Sequence, residues 1–214
     1  MYRQEQKSDG PEQMAERGRP RSFDRDRALA RAMEVFWEKG YAGASLADLK
    51  AAMGINAPSL YAAFGSKEQL FEAAVDRYNA SEGRALWAAF HAAPDARAAI
   101  AALLAASADS YVAPDRPKGC LVVLGALIGG EAEKAVARRL AERRREAIAL
   151  LEQRLRADIA AGRLPAGIDC RRIATFYTTV QQGMSLQARD GADRATLRAV
   201  ADAAMAAWDK LISA

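Results

Sequence analysis

The sequence predicts an all-α fold of about nine helices, and three observations carry that expectation. Aromatic residues make up only 7% of the 214 residues while alanine is abundant, a composition that favours helices over a strand-rich sandwich or barrel. Apolar residues recur at three- and four-residue spacing from Asp24 almost to the end of the chain. No stretch alternates long enough to read as a strand, and no internal repeat is present. Hydrophobic residues at 51% and charged residues at 27% exclude a wholly disordered chain. A formal charge of +4 permits binding to nucleic acid without demonstrating it. Cys120 and Cys170 form neither a disulfide scaffold nor a CxxC pair, which fits a reducing interior. Met1 to Met14 is too polar for a secretory signal, and the longest apolar run, Cys120 to Ile128, is far shorter than a membrane span. The expectation is a soluble cytoplasmic protein with no membrane partner.

Residues 1–22 read as a flexible arm that ends in the basic stretch Arg17-Gly18-Arg19-Pro20-Arg21. Asp24 then caps a first helix running to Lys39, with Phe23 as half of a hydrophobic staple and Gly40 as the stop. Ser45 and Asp48 have capping-box spacing for a short second helix that Gly54 ends. Asn56 caps a third, in which Pro58 is tolerated in the first turn and Leu60 with Phe64 forms the inner edge. Ser66 and Gln69 open a fourth. Breaks near Pro94, Pro114 to Pro117, Gly129-Gly130, Gly162 to Gly167 and Asp190 to Asp193 divide the chain from Lys67 on into about six helices, this fourth one included, each longer than the two short ones. They include a long amphipathic segment, Glu131 to Ala161, and two last helices at about Cys170 to Asp190 and Ala195 to Ser213. The domains are an arm at 1–22, a three-helix head at 23–66 and a helical body at 67–214.

Two short helices joined by a tight turn at Gly54 make a helix-turn-helix, and the major groove of B-DNA admits one α-helix. The outer face of the third helix carries Asn56, Ala57, Ser59, Tyr61 and Ala62, small or polar as such entry requires. Ser45 lies at a helix N-terminus, which favours a phosphate oxygen, and Lys67 is placed to reach a second phosphate. The run Ala42-Gly43-Ala44-Ser45-Leu46-Ala47-Asp48-Leu49, then Met53-Gly54-Ile55-Asn56, then Ser59 to Phe71 strongly resembles the tetracycline-repressor (TetR) family of bacterial regulators. Its most specific part is the string carried by Leu60, Tyr61, Phe64, Lys67 and Leu70. The resemblance covers roughly Asp24 to Tyr78 and implies a homodimer that binds a near-palindromic double-stranded DNA operator and releases it when a small molecule occupies the body. It further implies phosphate contacts from Ser45, Tyr61 and Lys67, and an approach to bases by Asn56, Ala57, Pro58 and Ser59. Two positions depart from the family pattern. Lys50 stands where alanine is common, so its stem must thread outward. Ala57 stands where a long or basic residue is common, so direct base readout should be sparse and phosphate and shape should matter more. Arg19 and Arg21 either enter an adjacent minor groove or belong to a solvated basic tail.

For the body, the resemblance implies that the last two helices pair with their copies. Phe176, Tyr177 and Val180, with Ile173, recur at helical spacing, as do Leu197, Val200, Ala204 and Trp208. These are the dimerisation candidates, and part of each stripe must face its own core. The expected walls of a regulatory pocket are Trp87, Phe90 and His91 on the fourth helix, Leu103, Leu104 and Tyr111 on the fifth, Leu121, Leu124 and Leu127 on the sixth, and Phe176, Gln181 and Met184 beyond. The same residues also read as plain core. So few polar groups point to an apolar or aromatic effector. His91 stands alone, so no metal site is expected, and no cofactor is implied. Cys120 sits at a helix start near Lys118, where a thiol pKa falls and redox or electrophile sensing is conceivable; a small buried core residue is the commoner outcome. The Glu and Arg run from Glu131 to Arg145 reads as a solvated, ion-paired face. No catalytic motif is present, so the expectation is a DNA-binding regulator, most simply a repressor, and not an enzyme. The alternatives are a helical small-molecule binding protein with a vestigial head, an interaction scaffold, and a thiol-based regulator acting through Cys120.

Overall fold

Helix α1 (Arg25–Gly43) starts at Asp24, whose carboxylate accepts the Arg27 amide at 3.0 Å. The computed structural model of the chain describes residues 23–126, 130 and 133–213; the arm with Arg19 and Arg21, and Leu127, lie outside them. Gly40, at φ 69° and ψ 172°, interrupts α1 one residue after the expected end at Lys39, and the chain then makes one more turn before Ala44. Only a residue that accepts positive φ can make this kink while its Cα approaches the Gly125 carbonyl.

Helices α2 (Leu46–Met53) and α3 (Ala57–Phe64) follow, each with the cap its sequence announces. Ser45 and Asp48 form a reciprocal capping box, and Asn56 accepts the Ser59 amide at 2.9 Å. A second capping box, Ser66 with Gln69, opens α4 (Lys67–Tyr78). The expected fourth helix is not uniform: a π-helical turn at Asn79–Gly83 separates α4 from α5 (Arg84–Ala92), although the three run on as one rod.

The body continues with α6 (Ala96–Ser110), α7 (Leu121–Leu124), α8 (Lys134–Ala160), α9 (Cys170–Arg189), α10 (Arg194–Ala206) and α11 (Trp208–Ile212). Taking the α4–α5 rod and the α10–α11 pair as one helix each gives nine among the described residues, where no strand is present. The expectation that every later helix is longer than α2 and α3 fails at α7, whose described part has four residues. Gly125 follows it, and a β-carbon there would lie 2.6 Å from the Leu121 carbonyl oxygen, so the position takes only glycine.

An aromatic cluster welds head to body. Phe36 meets Phe71 edge-on at 5.0 Å between centroids, and Trp37 meets Tyr78 at 4.8 Å. At the far end, the buried Asp158 of α8 accepts the Ala96 amide at 2.6 Å and the Arg163 guanidinium at 3.1 Å, tying the start of α6 to the end of α8. Despite its burial, the bonds from Arg163 and Ala96 hold this carboxyl below the usual aspartate range.

Candidate nucleic-acid interface and body cavity

Leu60 and Phe64 anchor α3 in the head core, and Gly54 makes the turn before it at φ 68°. Arg25 reinforces that seat, with its guanidinium 4.6 Å from the centroid of the Phe64 ring. This leaves Asn56, Pro58, Tyr61 and Ala62 exposed and Ala57 and Ser59 half-buried. Tyr61 is 46% exposed, one of the few large side chains turned outward. The helix itself has no charged residue, and residues 23–66 hold five basic and five acidic side chains. Any attraction for a polyanion must come from placement, not from net charge.

Two groups supply such placement. The Ser45 hydroxyl donates to the Asp48 carboxylate at 2.7 Å and accepts the Asp48 amide at 3.1 Å, so its hydrogen bonds are already committed. The first-turn amides of Leu46 and Ala47 are the open donors at this helix end. Lys39 pairs with Asp48 at 2.7 Å, and this bond with those from Ser45 lowers the Asp48 carboxyl to about 2. Lys67 lies with its ammonium 4.4 Å from the centroid of the Tyr41 ring, and partial burial lowers its pKa. The Tyr41 hydroxyl in turn donates to Glu68 at 2.7 Å. Lys50 is half-buried.

The body holds a half-open cavity of about 180 Å³ between the α4–α5 rod, the end of α6, α7, α8 and α9. Asn79 and Gly83 of the π-helical turn form one wall, with Leu86 and Trp87 beside them. Tyr78, Tyr111 and Cys120 stand together on another. Burial raises all three pKa values. Gln181 donates to Ser107 at 2.9 Å, and Ser185 accepts the Cys120 amide at 2.8 Å. Arg143 and Arg144 of α8 line the remaining side.

Residues 28–74 match the family described as bacterial regulatory proteins, tetR family, and residues 96–204 match the tetracyclin repressor-like C-terminal domain. The HTH-type transcriptional repressor ComR of Escherichia coli K12 is 37% identical over 202 residues, 92% of this chain and 94% of ComR. The chain belongs to the TetR family. Its similarity extends to the E. coli repressor BdcR, 32% identical over 81% of this chain and 83% of that protein. Among solved structures, a cysteine mutant of the TetR family regulator CifR, complexed with 26-base-pair double-strand operator DNA, is 49% identical. It superposes with a TM-score of 0.86 over 89% of this chain and 100% of that one.

Within this TetR-family body, Trp87, Tyr111 and Gln181 line the cavity. Leu104, Leu121, Phe90 and Met184 are buried away from it, and His91 is exposed at the end of α5. Leu124 and Phe176 are half-buried and are not part of the wall either. Cys120 caps α7, but the activation expected of a helix start is absent: desolvation outweighs the backbone bonds and pushes the thiol up. The reading of Glu131 to Arg145 as a solvated, ion-paired face needs correction at Arg144, which turns inward and is half-buried. Spacing could have found it, because Arg144 follows Val136 and Leu140 at four-residue steps along the buried face of α8.

Of the dimerisation candidates, Tyr177, Leu197, Ala204 and Trp208 are buried in their own chain. Tyr177 and Trp208 lie 6.0 Å apart between ring centroids, and burial raises the Tyr177 pKa to about 12. Periodicity finds the core face of a helix, not the face beside it. Phe176 and Val180 remain half-buried and Val200 is 39% exposed, joined on the outside by Gly183 and the 47% exposed Leu186, which sequence reasoning missed. Among the described residues no group of three or more His, Cys, Asp or Glu is placed to hold a metal, and no helix is long and apolar enough to cross a membrane.

Proposed function

We propose that the protein is a cytoplasmic transcriptional repressor that binds a near-palindromic operator as a homodimer and lets go when a small molecule fills the body cavity. One observation carries the release step. The segment Gly119–Gly125 faces the cavity through Cys120, Val122 and Val123, while its backbone holds the head. The Trp37 indole donates to the Gly119 carbonyl at 3.2 Å, and the Tyr41 amide donates to the Gly125 carbonyl at 2.7 Å. A molecule that moves α7 therefore moves the end of α1, and with it α3. The effector must bind the two arrangements unequally for this to change operator affinity.

On the DNA side, α3 enters the major groove with Tyr61 and the small residues Ala57 and Ser59 leading. The amides of Leu46 and Ala47, the Tyr61 hydroxyl and Lys67 take phosphates, and Arg19 and Arg21 of the arm add minor-groove or non-specific attraction. Head neutrality and the absence of long polar side chains on α3 favour shape and phosphate geometry over bidentate base readout. One head covers one half-site, so a dimer is needed for specificity, and the outward strip of Phe176, Val180, Gly183, Leu186 and Val200 fits a second copy of the chain.

Selection of bound duplexes from a random pool at near-physiological salt tests this reading. The expected product is an inverted repeat, with light scattering giving the mass of two chains in solution. Recovery of no motif, with affinity vanishing as salt rises, would replace it with a small-molecule binding protein that has a vestigial head.

A further inference from the structure

We propose that the cavity takes an amphiphilic organic carboxylate, with Arg144 as the group that recognises its acid. The proposal rests on the cavity being the effector site and names the chemistry of its occupant. Three arginines stand in a row on α8, and their partners differ. Arg143 pairs with Asp76 at 3.0 Å and with Glu146 at 3.4 Å, and Arg145 lies 4.0 Å from Glu142. Arg144 has no carboxylate partner among the described residues. Its one hydrogen bond there goes to the Val122 carbonyl at 2.8 Å, a neutral acceptor.

A guanidinium carries five N–H donors in a fixed fork, and one carbonyl leaves most of them for something else. Arg144 is half-buried in the cavity wall, with its charge partly removed from water, which lowers its pKa. Counting Arg143, Arg144 and Glu146, the wall carries one net positive charge, and Arg143 already serves Glu146. A half-desolvated cation without a counter-ion is costly, and an anionic ligand removes that cost. A carboxylate matches the planar fork bidentately. The wall also offers Leu86, Trp87, Val122, Val123 and Leu150 to an alkyl or aryl body, beside amide and hydroxyl side chains such as Gln181. An apolar or aromatic effector without an anionic group would leave Arg144 buried deeper and still without a carboxylate partner.

Recognition and release then share an atom. The Val122 carbonyl belongs to α7, which holds α1 through Gly125. A carboxylate that draws Arg144 away from Val122 frees α7 on its cavity side.

The test compares benzoate, 3-phenylpropionate and octanoate with their methyl esters, by quenching of tryptophan fluorescence and by isothermal titration, on the full chain. At least one acid should bind wild-type protein about tenfold or more tightly than its ester, and Arg144→Gln should erase that preference by lowering acid affinity far more than ester affinity. Arg144→Lys should keep part of it. If Arg144→Gln does not fold, the acid-to-ester ratio on wild type, with its Arg144→Lys counterpart, decides alone. Equal binding of acids and esters, no binding by any acid, or an acid preference indifferent to Arg144 would overturn the proposal. Acid binding that depends on Arg144 but leaves operator affinity unchanged would keep the carboxylate site and instead refute the release mechanism.

Discussion

The head and the body of this protein are built by different rules. In the head, the polar contacts that start α1 to α4 are local: Asp24 to Arg27, Ser45 to Asp48, Asn56 to Ser59 and Ser66 to Gln69 each span three residues. In the body, the decisive contacts join distant positions. Asp158 reaches Ala96, Gln181 reaches Ser107, Ser185 receives Cys120, and Arg189 of α9 donates to the carbonyls of Trp37 at 2.6 Å and Glu38 at 2.9 Å. A locally capped head can keep its shape while it is carried as a unit. A body joined through long-range contacts transmits a change at one wall to the next, as the proposed release by an effector would require.

The largest expected effect is in the body. Asp158→Ala removes a buried carboxylate from the Ala96 amide and from Arg163 and should cost about 3 kcal/mol in urea unfolding, toward the lower end for breaking such a pair because Arg163 stays half exposed. A loss below about 1 kcal/mol would mean that the α6–α8 junction is held by packing alone. The pH dependence follows from the depressed pKa of Asp158. A carboxyl whose folded pKa lies below its unfolded value stabilises fully above the unfolded value, about 3.9, and that stability drains away as pH falls through the folded value. Asp158→Asn should flatten this acid limb and leave the neutral-to-alkaline side parallel to wild type.

Next comes the contact that joins the two regions. Arg189 closes the end of α1, and its buried Nε has no partner, so the residue is held by its terminal nitrogens. Arg189→Ala should cost about 2 kcal/mol in stability and weaken operator binding as well, because the Trp37 and Glu38 carbonyls of α1 lose their donor. A stability loss with unchanged operator affinity would show that α9 supports the fold without orienting the head.

How far each region was legible in the sequence follows the same division. The four caps, the Gly54 turn and the α3 anchors could be read directly, because each is fixed by residues a few positions apart. The family resemblance at Leu60, Tyr61, Phe64, Lys67 and Leu70 rests on that same local chemistry. The cavity could not be read this way. Its wall draws on segments from Tyr78 to Gln182, and spacing along one helix does not say which apolar face meets a void and which meets a neighbour. Trp87, Tyr111 and Gln181 were found, but Leu104, Met184 and Phe90 look the same in sequence and are core. Arg144 was hidden in a run of charges because only tertiary packing separates its environment from those of Arg143 and Arg145. The dimer candidates divided for a related reason, since a stripe of large apolar residues first satisfies its own chain.

Smaller effects should separate DNA contact from fold within the head. Tyr61→Ala should weaken operator binding about tenfold, the scale of one lost polar contact, with helical content and mass in solution unchanged. Lys67→Ala should do the same and also reduce the slope of log affinity against log salt by about one, the signature of a lost phosphate contact. An unchanged slope would assign Lys67 to its place over Tyr41, where the cation–ring contact supports the start of α4.

Ser45 gives the smallest and most discriminating case. Its hydroxyl is occupied by Asp48 on both sides, so Ser45→Ala should cost about 1 kcal/mol of stability through the lost cap. Once that loss is allowed for, DNA affinity should hardly fall, because the phosphate at this helix end is received by the amides of Leu46 and Ala47. Ser45→Asp keeps a capping oxygen but adds a negative charge beside those amides. It should therefore restore only part of the stability, because the new carboxylate faces that of Asp48, while weakening operator binding, most strongly at low salt, where phosphate repulsion is least screened. If Ser45→Ala alone abolishes binding in protein that remains folded, the hydroxyl itself meets the phosphate, and the capping box must open when the head docks.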